Sequence, residues 1–237
     1  LKREMALALI KQTSLWWFDM WGGYYQEPAV FDNFRMMKSI WDKYSASDYD
    51  SVSEIAMIVD PDSSYYLNPD WAEYKYCYSA LRNNLNRVAA PFDIFSFNDI
   101  PNIPDFSRYK LLVFANPFVI SPEKEDLLKK IVFKDMRTVV WLFAPGIIDG
   151  MRYCPERVKD ICGMDFTCPD IASVQKENWT SIYVPVPSAL TTLVLKKVAA
   201  EAGVNIYCDE ALSVYGNSRL LSIHSAEGGN IMVRLPR

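Results

Sequence analysis

From residue 54 onward, apolar runs alternate with helical stretches that start and stop on recognisable caps, and this alternation limits the fold more than any other feature. The runs are Glu54–Asp60, Phe92–Phe97, Lys110–Asn116 and Arg137–Phe143, with Asp60 and Asn116 at strand ends. A strand with one wet face alternates apolar and polar residues. A nearly continuous apolar run suits a strand covered on both faces, as in the middle of a parallel sheet. Between the runs, Pro69-Asp70 opens a predicted helix to about Val88. Ser121-Pro122-Glu123-Lys124-Glu125 supplies a capping hydroxyl, a first-turn proline and early acids, which predicts a helix from 122 to about 133. Pro155–Cys162 reads as a short helix closed by Gly163, and Ser188 as the cap of a helix from 189 to Ala202 closed by Gly203. Strands and helices in this order imply an α/β fold, an open and mainly parallel sheet with helices on both faces. Val204–Cys208, Ser213–Tyr215, Leu220–His224 and Ile231–Leu235 are predicted as short strands too close together for crossovers. They predict an antiparallel edge, with a hairpin turn over Ser225–Asn230 joining the last two.

The first 47 residues follow a different pattern. Residues 2–12 have helical spacing, with Met5, Leu7, Ala8, Leu9 and Ile10 on one broad face. Ser14–Trp21 reads Ser-Leu-Trp-Trp-Phe-Asp-Met-Trp before Gly22-Gly23, which suits a buried strand and a turn. Pro28 fits the first turn of a helix in which Phe31, Phe34, Met37, Ile40 and Trp41 recur at helical steps to about Tyr44. Ser45–Ser53 is small and polar and reads as a linker. The expected division is therefore a helix-strand-helix piece over 1–47 and the α/β domain over 50–237. The chain begins Leu1-Lys2-Arg3-Glu4 inside a helical pattern and ends directly after a strand-like run, so it reads as a piece of a longer protein.

Half of the 237 residues are apolar, enough for a sizeable core. A formal charge of −4 with no dense Lys/Arg run argues against a nucleic-acid partner. Charges interrupt every apolar run short of a membrane span. No signal peptide is visible, and a cytoplasmic setting is favoured. The five cysteines form no C-x-x-C pair and His224 is the only histidine, so no metal site is expected. Cys154, Cys162 and Cys168 cluster in sequence and read as free thiols, with a disulfide among them as the alternative.

Three kinds of chemistry can be weighed. A dinucleotide site needs glycines after the first strand, where this chain has Asp60-Pro61-Asp62-Ser63-Ser64, whose carboxylates would repel phosphate. No nucleotide cofactor, and no other, is expected. Nucleophilic catalysis on such a sheet needs a Ser or Cys elbow after a strand with His and an acid nearby. The fourth run instead ends Phe143-Ala144-Pro145-Gly146, and His224 lies in an apolar run as a structural histidine. The third candidate is the aromatic segment. Trp16, Trp17, Phe18, Trp21, Tyr24 and Tyr25 crowd into ten residues around Asp19. Aromatic faces pack against the C–H faces of sugars and carboxylates accept from hydroxyls, but a plain core strand fits the composition equally well. A period of two would turn Trp17, Asp19 and Trp21 one way and Trp16, Phe18 and Met20 the other.

Leu15-Trp-Trp-Phe-Asp-Met-Trp-Gly-Gly-Tyr-Tyr25, a helix, and then Ile55-Ala-Met-Ile-Val-Asp60-Pro-Asp-Ser-Ser-Tyr65-Tyr66 resemble the family 42-type β-galactosidases. The close of the chain, Tyr207-Cys208-Asp209 through Asn217 and His224-Ser-Ala-Glu-Gly-Gly229, is similar too. The resemblance implies the end of a (β/α)₈ barrel followed by a trimerisation domain, similar in fold to class I glutamine amidotransferases and to flavodoxin but without their activity. It implies that Trp17, Phe18, Asp19 and Trp21 stand at the rim of a sugar pocket, since barrel enzymes place their sites at the carboxyl ends of strands. Retaining glycosidases use two carboxylates about 5–5.5 Å apart. In this family both come from earlier barrel strands, so no catalytic residue is expected here. Asp60, Asp62, Ser64 and Tyr65 form the loop expected to approach a neighbouring domain or subunit. The implied partners are a β-galactoside-like carbohydrate and further copies of the chain, a trimer being favoured. The alternative is a stand-alone binding module with the aromatic cluster as core.

Overall fold

The computed structural model describes residues 1–46 and 49–236. Residues 47 and 48, inside the expected linker, lie outside the described residues. The chain forms two compact units. One comprises Leu1–Val52 with Val214–Gly229, and the other Ser53–Ser213 with the residues from Asn230 on. The sequence places everything after residue 50 in one domain, whereas Val214–Gly229 packs with the first unit.

In the first unit, α1 (Lys2–Ile10) and α2 (Pro28–Tyr44) form where helical spacing predicts them. Met5, Leu9 and Met37 make a small core, with Leu15, Trp17, Phe34 and Trp41 packed around it.

The second unit opens with β1 (Ile55–Val59), α3 (Pro61–Ser64), α4 (Tyr74–Cys77), α5 (Ser79–Leu85) and β2 (Phe92–Ser96). It continues with β3 (Leu111–Phe114), α6 (Pro122–Leu127), β4 (Arg137–Leu142) and α7 (Arg157–Cys162). Next come β5 (Ala172–Gln175), β6 (Trp179–Val184) and α8 (Thr192–Glu201). β7 (Ser213–Gly216) and β8 (Leu221–His224), which from Val214 on belong to the first unit, make a separate two-stranded sheet.

The six-stranded sheet has the order β2-β1-β3-β4-β6-β5. Every neighbouring pair is parallel except β5 with β6. Alternate side chains enter opposite layers, as the pleat requires. Ala56, Ile58, Leu112, Phe114, Val139 and Trp141 face one layer with Leu128, Val132, Val158 and Ile161. Ile55, Met57, Leu111, Val113, Val140 and Leu142 face the other, with Leu81 and Leu85 of α5 and Leu195, Val198 and Ala199 of α8. Helices therefore cover both faces, and this is why the strands read as continuous apolar runs. Trp141 stacks on Phe114 at 4.6 Å, and its buried indole donates to Ser181 Oγ at 3.1 Å. Without that acceptor the N–H would be a desolvated orphan.

Several expectations are corrected. The antiparallel edge is β5, not the C-terminal residues, because β6 and β5 are close enough in sequence for a direct reversal. Val204–Cys208 and Ile231–Leu235 are irregular, and β8 pairs with β7 rather than with a later strand. The helix expected from Pro69 to Val88 is split into α4 and α5 at Tyr78, whose φ of −133° and ψ of −89° leave the helical region. The helix expected from 189 begins at Thr192, because Thr191 rather than Ser188 supplies the capping oxygen, to Val194 N–H. The helix begun at Pro122 continues as one π-turn over Leu128–Val132. The guanidinium of Arg137, 2% exposed, donates to the carbonyls of Ile131, Val132, Phe106 and Tyr109.

Candidate functional site

Two regions hold the residues that the sequence singled out, one in each unit. In the first unit, Thr13–Met20 is irregular rather than the expected strand. A strand exists only through its ladder, and no strand among the described residues pairs with this one. The alternation of sides survives without the ladder. Leu15, Trp17 and Asp19 are partly buried, while Trp16, Phe18 and Met20 are 72%, 58% and 63% exposed. Trp17 packs on Phe34 at 5.4 Å and lines a groove of ≈ 370 Å³ with Met5, Leu15, Met37 and Trp41. The Lys38–Asp42 ion pair, 2.6 Å, sits at its edge. Trp16 and Phe18 stand 5.2 Å apart at 49° on the open side. Trp21, expected beside Trp17 and Asp19, is instead 79% exposed. It directly precedes Gly22 and Gly23, whose φ of +75° and +86° turn the chain. Of the expected sugar-facing residues, Phe18 and Trp21 are open, and Trp17 and Asp19 lie on the inward side. Trp16, which sequence reasoning left out of that set, is the most exposed ring of the outward row.

In the second unit, the loops after β1 and β3 meet where the strand order reverses. That reversal is the position at which open α/β sheets usually form a ligand crevice. Here the protein's own groups fill it. Asp60 is 1% exposed and caps α3, accepting from Ser63 N–H at 2.9 Å and from the Ser63 hydroxyl. Lys124 donates to Asp60 Oδ1 at 2.5 Å and to Asp62 Oδ2 at 2.8 Å. Asn116 Oδ1 accepts from Asp60 N–H at 2.7 Å, and Asn116 Nδ2 donates to the Asp60 carbonyl at 2.8 Å and to the Tyr78 hydroxyl at 2.9 Å. Burial is the main cause that raises the Tyr78 pKa, which keeps the phenol neutral. Ser64 Oγ lies 3.1 Å from Tyr78 Oη. Of the expected contact loop, Asp60 is thus sealed inside, Asp62 and Ser64 are held on one side, and Tyr65 projects freely at 89% exposure. The sequence named Asp60 and Asn116 as strand-end residues. The ammonium of Lys124, which joins them, was visible only as part of a helix cap.

After β4, Phe143 has a φ of +62°, and Gly146, at the end of the Ala144-Pro145-Gly146 turn that the sequence marked, has a φ of +70°. Phe143 directly follows β4. Its ring packs on Trp71 at 4.9 Å, Phe166 at 5.7 Å and Phe118 at 5.9 Å. No nucleophile stands there. His224 belongs to β8 and lines an apolar groove with Met36, Ile40 and Ile223. Among the described residues no cluster of three or more His, Cys, Asp or Glu could hold a metal, and no helix is long and apolar enough to cross a membrane. All five cysteines are free thiols.

An open, mainly parallel α/β domain without an elbow nucleophile, accompanied by a helix-aromatic-helix unit, is the class that fold and site define. Among solved structures, family 42 β-galactosidases have a similar fold. The E323A catalytic mutant of Gan42B, a GH42 β-galactosidase from G. stearothermophilus, matches 81% of this chain with a TM-score of 0.58 and 14% identity, over 37% of its own length. The cold-adapted β-galactosidase from Rahnella sp. R3 matches 81% of this chain with a TM-score of 0.62 and 10% identity, over 38% of its length. The chain thus spans little more than a third of the length of these enzymes, and at such identity the likeness is one of fold. No family sequence model and no curated protein sequence matches the chain.

Proposed function

We propose that this chain is part of a glycoside hydrolase similar to the family 42 β-galactosidases. In this reading the first unit supplies one wall of a sugar pocket and the second is a non-catalytic, trimerisation-type domain. The carrying observation is the outward row Trp16, Phe18 and Met20, followed by Trp21, in a segment whose alternate side chains pack inward. Leaving large apolar side chains wet forgoes roughly 1.5–3 kcal/mol each relative to burial. A tilted aromatic pair suits the C–H face of a pyranose. The filled crevice at β1 and β3 and the aromatic elbow support the non-catalytic role of the second unit.

The test is titration of the chain, and of any longer protein that contains it, with methyl β-galactopyranoside, followed by tryptophan emission. The expected result is saturable quenching that Trp16→Ala and Phe18→Ala each weaken and Trp17→Phe leaves in place. Saturable quenching that survives both outward substitutions would remove this face from the sugar site.

A further inference from the structure

We infer that Cys162 and Cys168 form a reversible disulfide that closes the segment between α7 and β5 under oxidation. The structure shows both in the dithiol state. The fold gathers them in three ways. Gly163, at a φ of +87°, ends α7 directly after Cys162, and the chain then doubles back, with Cys168 N–H donating to the Asp165 carbonyl at 2.9 Å. Cys162 is buried in the sheet layer that holds Trp141 and Val158, and Cys168 packs against the same layer. Tyr183 of β6, in that layer too, donates from its hydroxyl at 3.4 Å to the carbonyl of Phe166, which lies between the two cysteines in sequence. The charge on a Cys168 thiolate reaches both that phenol and the Cys162 thiol, and side-chain charges act on one another only at close range. Cys154, the third member of the sequence cluster, is held instead against Asp149, Sγ to Oδ2 3.8 Å.

Access sets the order of events. Cys168 is half-buried and Cys162 is sealed. The oxidant is a low-molecular-weight disulfide. The Cys168 thiolate attacks one of its sulfurs, forms a mixed disulfide and expels one small thiolate. The Cys162 thiolate then attacks Cys168 Sγ and expels the second. Two protein thiols become one disulfide, and the oxidant leaves as two small thiols that carry the two electrons and the two protons. Burial pushes the Cys162 thiol up to about 11, so the second step is the slow one and quickens as pH rises. The closed segment carries Phe166, whose ring packs on Phe143 at 5.7 Å, so oxidation fixes one wall of the aromatic cluster after β4.

The test is treatment of the folded chain with oxidised glutathione, acid quench, alkylation of remaining thiols, and tryptic mass mapping without reductant. Lys159 and Lys176 bracket both cysteines with no lysine or arginine between them. A disulfide within the pair therefore leaves one peptide, residues 160–176, unalkylated and about 2 Da lighter than its dithiol form. That peptide is expected to accumulate, to revert with dithiothreitol, and to form roughly tenfold faster per pH unit between about pH 7 and 9. Cys162→Ser is expected to stop at a glutathione adduct on Cys168, and Cys168→Ser to leave Cys162 unmodified, with far-UV circular dichroism showing both variants folded. A wild-type chain whose peptide stays fully alkylated, or stops at the glutathione adduct at every pH, would overturn the pairing.

Discussion

Asn116 joins the ends of two parallel strands with a single side chain. Its amide pairs both backbone groups of Asp60 and reaches the Tyr78 hydroxyl, all in a buried setting. Removing one partner of a buried hydrogen bond leaves the other desolvated and unpaired. Asn116→Ala is expected to lower stability on the order of 3 kcal/mol, read from urea unfolding. Asn116→Asp is expected to be destabilising too, since it places a second carboxylate against Asp60. The buried thiols give a pH dependence. Burial, reinforced by Glu73, pushes the Cys77 thiol up to about 12, and burial pushes Cys162 up to about 11, both from 9.0. Between the unfolded and folded values the native state binds more protons than the unfolded chain, so stability falls as pH rises. This contribution is complete below about pH 9 and is lost as pH climbs through 11 and 12. Burial raises the Tyr109 and Tyr183 phenols as well, which acts in the same direction. The urea midpoint is therefore expected to drop from pH 8.5 to 11, and less steeply in Cys77→Ala. A midpoint that rises over that range would contradict the assignment.

At the scale of elements, the sequence was most legible where one local rule sufficed. The four apolar runs became β1 to β4, Ser121-Pro122 started a helix, and Gly163 ended one. Legibility failed where tertiary context decided. The apolar alternation of Ser14–Trp21 is strand-like, but strand formation needs neighbours that sequence periodicity cannot supply. Ala172–Gln175, to which the sequence assigned no element, forms an edge strand because β6 offers it a ladder. Gly163 gives an element-level test. Its φ is +87°, and an added Cβ would lie 2.9 Å from Val174 Cγ1 on β5 and 2.8 Å from Lys176 Nζ. The lysine end can swing away, whereas the valine is anchored in the sheet. Gly163→Ala is expected to cost about 1–3 kcal/mol, through strain at a positive φ and displacement of β5, and to lower the melting temperature.

For the whole molecule, the relation to longer enzymes governs what can be measured. Structural neighbours extend well beyond the matched part, and this chain corresponds to 37–38% of them. Retaining glycosidases need two carboxylates about 5–5.5 Å apart, and the family resemblance implies that both lie in earlier barrel strands. The chain by itself is expected not to hydrolyse an aryl β-galactoside above the buffer rate, which a chromogenic assay would establish. Turnover that tracked the purified chain and vanished on Asp19→Ala would overturn the auxiliary role. The candidate site was only partly legible at this scale. Composition found the aromatic segment, but which rings face outward depended on how Trp17 packs against Phe34 and the groove beside it. Likewise, the sequence showed that Asp60 ends a strand, and only the fold showed Lys124 and Asn116 closing over it.

The backbone at Phe143 has an implication for how such domains change over evolutionary time. A left-handed conformation at a bulky residue is costly, and it persists only where its surroundings hold it. Here an aromatic cluster of Trp71, Phe118 and Phe166 does the holding, with no reactive group to justify the shape. The geometry of this socket is therefore held by packing and not by chemistry. In a lineage or a laboratory, exchanging one side chain at that socket could add or erase a reactive group while the sheet beneath it kept its form.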